Sequence, residues 1–258
     1  MNGTVYLVGA GPGDPELLTL KAARLLEQAD VVLHDSLVRR EVLQKVRRTA
    51  LVIDVGKRCG KKLLTQDEIN ALLVNYARSH ETVVRLKGGD PSIFGRAAEE
   101  LAALRKAAVA FQIVPGVTAA FAAAAAAEIP LTDRRAASQI LFATFSRSAG
   151  ASAVDWGALT PETTLVLYMP GPDYAEVAHR LADAGLRPDL PCVVVSQASS
   201  ARQEIRWTTV GALADEAKLP APSLMIVGRV AARDIQEIRE TVWGKQRSDC
   251  RAENISVV

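Results

Sequence analysis

Hydrophobic and polar positions along the chain change period repeatedly. Short apolar runs alternate with stretches in which apolar residues recur every three or four positions, the pattern of an α/β architecture. Strands are predicted over Thr4–Val8, Val31–His34, Ala50–Val55, Thr82–Leu86 and Ala110–Val114. Helices are predicted between them over Leu17–Gln28, Arg40–Arg47, Gln66–Arg78 and Arg96–Lys106. Thr65 and Glu68 have the spacing of a capping box at the start of the third helix. After Pro115-Gly116 comes a helix of almost pure alanine, Ala119–Glu128, and then a second set of strands: Gln139–Phe145, Thr164–Met169, Cys192–Gln197, Glu204–Thr209 and Leu224–Val230. The fold class that follows is α/β, as two α/β domains over 1–117 and 118–244, with a polar, aperiodic tail over 245–258.

The first predicted strand runs into Gly9-Ala10-Gly11-Pro12-Gly13-Asp14. Set against the dinucleotide fingerprint G-x-G-x-x-G, the third position is Asp14 rather than glycine. Pro12 has no N–H to offer an anion. Asp14 and Glu16 then place negative charge where a phosphate would sit at a helix start. The glycines still allow close backbone approach, so this loop predicts a ligand other than a phosphate. Two further glycine-bearing turns, Lys87-Gly88-Gly89-Asp90-Pro91 and Val114-Pro115-Gly116-Val117-Thr118, also follow predicted strands. Ligands of open α/β sheets bind beyond the carboxyl ends of strands, so the three loops predict one crevice lined by backbone. Asp35, just past the second strand, fits the ribose-binding acid of a dehydrogenase, a helix cap or a general base, and the pattern alone leaves all three open.

Composition adds less. With 49% hydrophobic and 23% charged residues and a net charge of +2, the 258-residue chain is an ordinary globular protein. Its charge is uneven, however: nine basic residues lie between Arg39 and Lys62 against the two acids Glu41 and Asp54. A polyanion is the expected partner of such a segment, either nucleic acid or a multiply carboxylated small molecule. No aromatic residue is interleaved, which counts against single-stranded nucleic acid. The three cysteines (Cys59, Cys192, Cys250) and three histidines (His34, His80, His179) are scattered, predicting no metal site and reduced thiols in a cytoplasmic protein. The uncharged stretch Ala107–Ala127 is long enough to span a bilayer, but Pro115-Gly116 divide it into strand, turn and helix.

Several blocks together are more specific: VGAGPGDPELLTLKA, Asp35-Ser36-Leu37-Val38, Val55-Gly56-Lys57-Arg58-Cys59-Gly60, VVRLKGGDPSIFGRAAEE, VPGVTAA and IPLTDR. From Val5 to about Arg233 the chain resembles the tetrapyrrole methylases. The resemblance implies a class III methyltransferase-like fold with a cofactor cleft between two domains. It implies S-adenosyl-L-methionine as methyl donor, S-adenosyl-L-homocysteine as product, and no metal. The implied reaction is two successive methyl transfers onto ring carbons of uroporphyrinogen III, giving precorrin-2, a precursor of sirohaem, cobalamin and haem d1. A methyltransferase for a later corrinoid and a non-catalytic tetrapyrrole-binding relative share the resemblance.

By the same resemblance Pro12, Gly88, Gly89, Asp90, Ile93, Thr118, Ala119, Met169 and Ala198 would contact the cofactor. Arg96, Glu99 and Arg134 would contact the tetrapyrrole, Asp35 would accept a proton and Lys57 would donate one. The tetrapyrrole's eight carboxylates give the basic segment a partner without nucleic acid or membrane, and a homodimer is expected. The chain departs from the family pattern at Ser36, often arginine, and at Ala97 and Ala198, commonly glycine. Asp133 stands where histidine is usual, and Thr144-Phe145-Ser146-Arg147 replaces a Thr-Gly-His. An anion at Asp133, beside Arg134, is expected to weaken attraction for a polyanion.

Overall fold

The computed structural model describes residues 3–58, 61–62, 64–145 and 154–232; for Lys57, Arg58, Lys61 and Lys62 only the backbone is described. The chain divides into two compact units. The first runs to Ala122 and includes Ser199–Ala201; the second comprises Ala123–Ala198 and the chain from Arg202 onward.

In the first unit, β1 (Thr4–Gly9), β2 (Val31–His34), β3 (Leu51–Asp54), β6 (Thr82–Lys87) and β7 (Ala110–Val114) form one sheet in the order β3-β2-β6-β1-β7. All its pairings are parallel. Between β3 and β6 lie a small antiparallel ladder, β4 (Lys57–Arg58) with β5 (Lys61–Lys62), and the helix α3 (Gln66–Ala77). The other helices are α1 (Leu20–Gln28), α2 (Arg40–Leu43) and α4 (Ala97–Lys106), and the unit boundary falls within α5 (Ala119–Ala126).

Strand alternation sends Val5, Leu7, Val31, Leu33 and Val83 to one face, where they pack with Ile69, Leu73 and Ala77 of α3 and Leu104 of α4. Val8, Val32, Val84 and Leu86 point to the other face, against Ala22, Leu25 and Leu26 of α1 and Val42 of α2. Parallel sheets covered on both faces read as near-continuous apolar runs, which is why these strands were visible in the sequence. The capping box is present: Thr65 N–H donates to Glu68 Oε2 at 2.6 Å, and Glu68 N–H to Thr65 Oγ1 at 3.3 Å.

Two predicted helices are shorter than expected. Pro15–Leu17 form a separate 3-10 turn, and α1 begins only after Thr19, whose hydroxyl accepts from Ala22 N–H at 3.2 Å. Helix α2 stops at Leu43: Lys45 and Val46 N–H turn to carbonyls three residues back, Val42 and Leu43, and Arg47 N–H leaves for the carbonyl of Leu26 at 3.2 Å.

The second unit has a mixed sheet of β8 (Gln139–Thr144), β9 (Thr163–Tyr168), β10 (Pro191–Ser196), β11 (Glu204–Thr209) and β12 (Ser223–Val227). Its order is β11-β10-β12-β9-β8, with only β8 and β9 parallel. Helix α6 (Tyr174–Asp183) buries Tyr174, Val177 and Leu181 against it. The strand predicted to reach Val230 ends at Val227. Gly228 turns the chain with φ +145°, and Arg229–Ala231 form a 3-10 turn.

Cys192 lies fully buried in this core, and burial pushes its thiol up to about 12. A thiol there is neutral and inert. Alkylation of the native protein followed by peptide mapping is expected to leave Cys192 unmodified until denaturant is added. Labelling under native conditions would contradict its burial.

Among the described residues, no helix is long and apolar enough to cross a membrane and no cluster of His, Cys, Asp or Glu could hold a metal ion.

Candidate cofactor and catalytic site

At the carboxyl edge of the first sheet, three loops meet through their backbones. Gly11 N–H donates to Gly89 O at 3.2 Å and Gly89 N–H to Gly11 O at 2.8 Å, while Ala10 N–H donates to Lys87 O at 2.7 Å. Gly9 and Gly116 are in closest contact: a Cβ on Gly9 would lie 2.6 Å from Gly116 Cα and 2.6 Å from Gly89 O. Gly11 (φ +69°) and Gly89 (φ +67°) occupy the left-handed region that L side chains rarely adopt. Asp90 fastens the third loop, its Oδ2 accepting from Gly116 N–H at 3.0 Å and its Oδ1 from Ser92 N–H at 2.8 Å.

Pro12, Gly88, Gly89, Asp90, Ile93, Thr118 and Ala119 thus fall on three adjoining loops, after β1, β6 and β7. Asp14 already caps the 3-10 turn, accepting from Glu16 N–H at 2.9 Å. Its carboxylate stands where an anionic ligand would have to bind, which fits a ligand without phosphate.

Asp35 follows β2 on the same edge. Leu33 pairs with Arg85 and His34 with Leu86, so alternation puts Asp35 on the face that carries Arg85 and Lys87. Arg85 (2% exposed) and Lys87 (3%) are buried with Glu100 of α4 (0%). Arg85 Nη2 donates to Asp35 Oδ1, and Arg85 Nε donates to Glu100 Oε1 at 2.9 Å. Lys87 Nζ reaches the two Glu100 oxygens at 3.0 and 3.1 Å. Burial opposes the charge on Arg85, but Asp35 and Glu100 outweigh it, and its guanidinium is held above the ordinary value. Burial and then the Arg85 charge push the Lys87 ammonium down, with Glu100 and Asp35 opposing.

Arg85, Lys87 and Glu100 were not among the residues predicted from sequence. Their signal was two basic residues at i and i+2 inside an otherwise apolar strand, which on a buried strand demands a counter-charge.

Arg96 and Glu99, expected to bind substrate, are exposed and engage each other: Nε to Oε1 and Nη2 to Oε2, both at 2.7 Å. Arg96 itself holds a left-handed backbone, φ 56°. Lys57 begins β4, two residues past Val55.

In the second unit, β8, β9 and β10 run in one direction, so Met169 and Ala198 emerge at the same edge. Met169 (φ 50°) and Gln197 (φ 48°) are non-glycine residues in the left-handed region, a strain typical of ligand sites. Arg134 lies exposed in the turn preceding β8, at the other end of that strand.

Comparison with known proteins bears on this arrangement. The model of the family "Tetrapyrrole (Corrin/Porphyrin) Methylases" matches residues 4–214. The chain belongs to the tetrapyrrole methylases. Over 235 residues it is 48% identical to the uroporphyrinogen-III C-methyltransferase of Paracoccus denitrificans, covering 89% of this chain and 82% of that one. It is also 48% identical over 230 residues to the siroheme synthase of Actinobacillus succinogenes, which is 88% of this chain but 48% of that protein. The chain therefore spans about half the length of several curated relatives that it matches. The crystal structure of uroporphyrin-III C-methyltransferase from Thermus thermophilus with S-adenyl homocysteine superposes with a TM-score of 0.78 at 39% identity, covering 88% of this chain and 98% of that one.

Four of the departures from the tetrapyrrole methylase pattern have local accounts; of the fifth, Ser146 and Arg147 lie outside the described residues. Neither Ala97 nor Ala198 has a positive φ, so neither position demands glycine for its backbone. Ser36 is exposed; its Oγ donates to Asp54 Oδ1 at 3.2 Å, and a Cβ on Gly56 would fall 2.2 Å from Ser36 N, so one side of it rests against the Gly56 backbone. The anion expected to oppose a polyanion at Asp133 is already paired. Arg135 donates to it from Nε at 3.0 Å and Nη2 at 2.8 Å, and with its backbone N–H at 2.7 Å. These bonds, the Arg135 side chain first, hold the Asp133 carboxyl down at about 2. Asp133 is thus neutralised by Arg135 rather than by Arg134.

Proposed function

We propose that the chain is an S-adenosyl-L-methionine-dependent uroporphyrinogen-III C-methyltransferase that forms precorrin-2 by two successive methyl transfers. The observation that carries this reading is the glycine cradle joining the ends of β1, β6 and β7, with Asp35 seated beside it on a buried arginine. A cradle whose loops approach so closely that a Cβ on Gly9 or Gly116 would collide with the neighbouring backbone suits a ligand held by main-chain groups. Its proline and capped acidic turn suit one whose reactive centre is cationic. Pro12, Gly88, Gly89, Asp90, Ile93, Thr118 and Ala119 would hold the cofactor, and the family resemblance adds Met169 and Ala198.

When bound, S-adenosyl-L-methionine supplies a methyl group on cationic sulfur, so the new C–C bond forms as the C–S bond breaks and its electron pair stays on sulfur. The protein's own work is positioning and proton management. Arg96 and Arg134 would receive substrate carboxylates, and Glu99 would meet pyrrole N–H groups. Asp35 would accept the N–H proton that the methylated ring sheds, and Lys57 would serve as donor. The Arg96–Glu99 pair is exposed, where ion pairs contribute at most about 1 kcal/mol, so a substrate carboxylate can displace it at small cost. The reading includes a cytoplasmic homodimer, which sedimentation of the purified protein tests.

Anaerobic incubation with S-adenosyl-L-methionine and uroporphyrinogen III, followed by mass spectrometry, is expected to show two methyl additions. No addition by a protein that binds the cofactor would overturn the substrate and favour a later corrinoid.

A further inference from the structure

We propose that Arg85 is a positioning residue that fixes the orientation of the Asp35 carboxylate, and that Glu100 and Lys87 hold Arg85 in place for this. The inference rests on the reading of Asp35 as proton acceptor. Each group on the guanidinium has a partner. Nε is on Glu100, Nη2 is on Asp35, and Nη1 donates to the carbonyls of Leu33 at 3.4 Å and Leu86 at 3.2 Å. Both carbonyls belong to adjacent central strands, so the arginine is referenced to the most rigid part of the sheet. Among the described residues nothing donates to Asp35 Oδ2, so Arg85 occupies one oxygen and leaves the other for a ligand.

Stability does not account for this arrangement. A buried group of four charges is commonly no better, and often worse, than apolar residues of the same volume. The cluster is neutral as a whole, with Arg85 and Lys87 against Glu100 and Asp35, and three of the four are sealed from water. Only Asp35, whose side chain is 31% exposed, reaches outward, at the edge where the glycine loops meet. A neutral, closed network with a single outlet aims one carboxylate. Proton transfer needs that aim, because the accepting oxygen must lie within hydrogen-bond reach of the N–H in the reacting geometry.

The test is a double-mutant cycle on Asp35→Asn and Arg85→Gln, with kcat, KM for uroporphyrinogen III and the Kd for S-adenosyl-L-homocysteine measured for each protein. Glutamine at 85 leaves the Lys87–Glu100 pair balanced, and Arg85→Lys retains the charge should the first variant fail to fold. Arg85→Gln is expected to lower kcat about 10²-fold, the scale of a misplaced catalytic group, with KM and Kd within about twofold. In the Asp35→Asn background it should have no further effect on kcat, and Arg85→Lys should recover part of the loss.

Additive losses, or losses of cofactor affinity parallel to kcat, would overturn the positioning role while leaving Asp35 as acceptor. A fully active Asp35→Asn protein would remove the acceptor reading itself, and this inference with it. A crystal structure of Arg85→Gln reads the same point without turnover: the Asp35 carboxylate should be turned from its present orientation with β2 and β6 unmoved. An unchanged carboxylate would refute the proposal.

Discussion

Replacing Glu100 with glutamine is expected to lower the free energy of unfolding by about 3–5 kcal/mol, the range for removing one partner from a buried ion pair. Glu100 is fully buried, accepts from Arg85 and Lys87, and takes a further bond from Gln66 Nε2 at 3.4 Å. Glutamine preserves its shape, so the loss reports charge rather than packing. Two cations would remain in the core with only the Asp35 carboxylate to oppose them. One relief is available, because the Lys87 ammonium is already pushed down by burial and by Arg85 and can shed its proton. The sign of the pH dependence follows. Lys87 must remain charged at low pH and is released at high pH, so the deficit of Glu100→Gln should shrink as pH rises toward about 10, the ordinary lysine range. Urea unfolding of both proteins at two pH values measures it. A deficit under about 1 kcal/mol, or one that grows with pH, would mean that the cluster is not dry.

Gly116→Ala should act on ligand binding. A Cβ there would fall 2.4 Å from Gly89 O, 2.8 Å from Gly9 Cα and 3.0 Å from Gly9 C. These are main-chain atoms at the ends of β6 and β1, and no side-chain rotation can relieve the collision. The loops must part, and the bond from Gly116 N–H to Asp90 is the first to be stretched. Calorimetric titration with S-adenosyl-L-homocysteine is expected to show at least a tenfold weaker Kd, about 1.4 kcal/mol. Overpacking of this kind also costs roughly 1–3 kcal/mol of stability. A Kd within about twofold of the parent, in a protein that melts normally, would show that the glycine cradle is not where this ligand binds.

The sequence disclosed the layers of the fold because the central strands of each sheet are buried on both faces. Val31–His34 is one buried run from end to end, whereas the edge strands Ala110–Val114 and Glu204–Thr209 are largely unburied yet keep their predicted bounds. Helix α6 went unread although its signal was present. Asp173 accepts from Glu176 N–H at 3.0 Å as a cap, and Tyr174, Val177 and Leu181 follow at helical spacing. The β4–β5 ladder is built from Lys57, Arg58, Lys61 and Lys62, whose charges carry no periodic signal at all.

Of the site, the glycine loops were legible because glycine itself marks close approach. The buried cluster was not, because a lysine or arginine in sequence reads as surface. Only the parallel register of β2 and β6 brings Asp35 level with Lys87 and beside Arg85. The neutralisation of Asp133 by Arg135 depends likewise on a local turn, closed by the bridge of Asp133 with Ala137, that composition does not announce.

The order of strands in the first sheet also sets a timetable for synthesis. β1 lies between β6 and β7, so the first strand of this sheet to be made pairs only with strands made much later. Until Thr82–Lys87 emerges, Val5-Tyr6-Leu7-Val8 has no neighbour in the sheet, and of this sheet's ladders only β2 with β3 can form. Such non-local pairing is slow, and an unpaired apolar strand is prone to aggregate while it waits. The second unit has early partners, β8 beside β9 and β10 beside β11. In the first unit the nascent chain must keep β1 in reserve until Lys87 is made and one of its edges open until Val114 is in hand, and the rim that carries the glycine loops is completed in that last act.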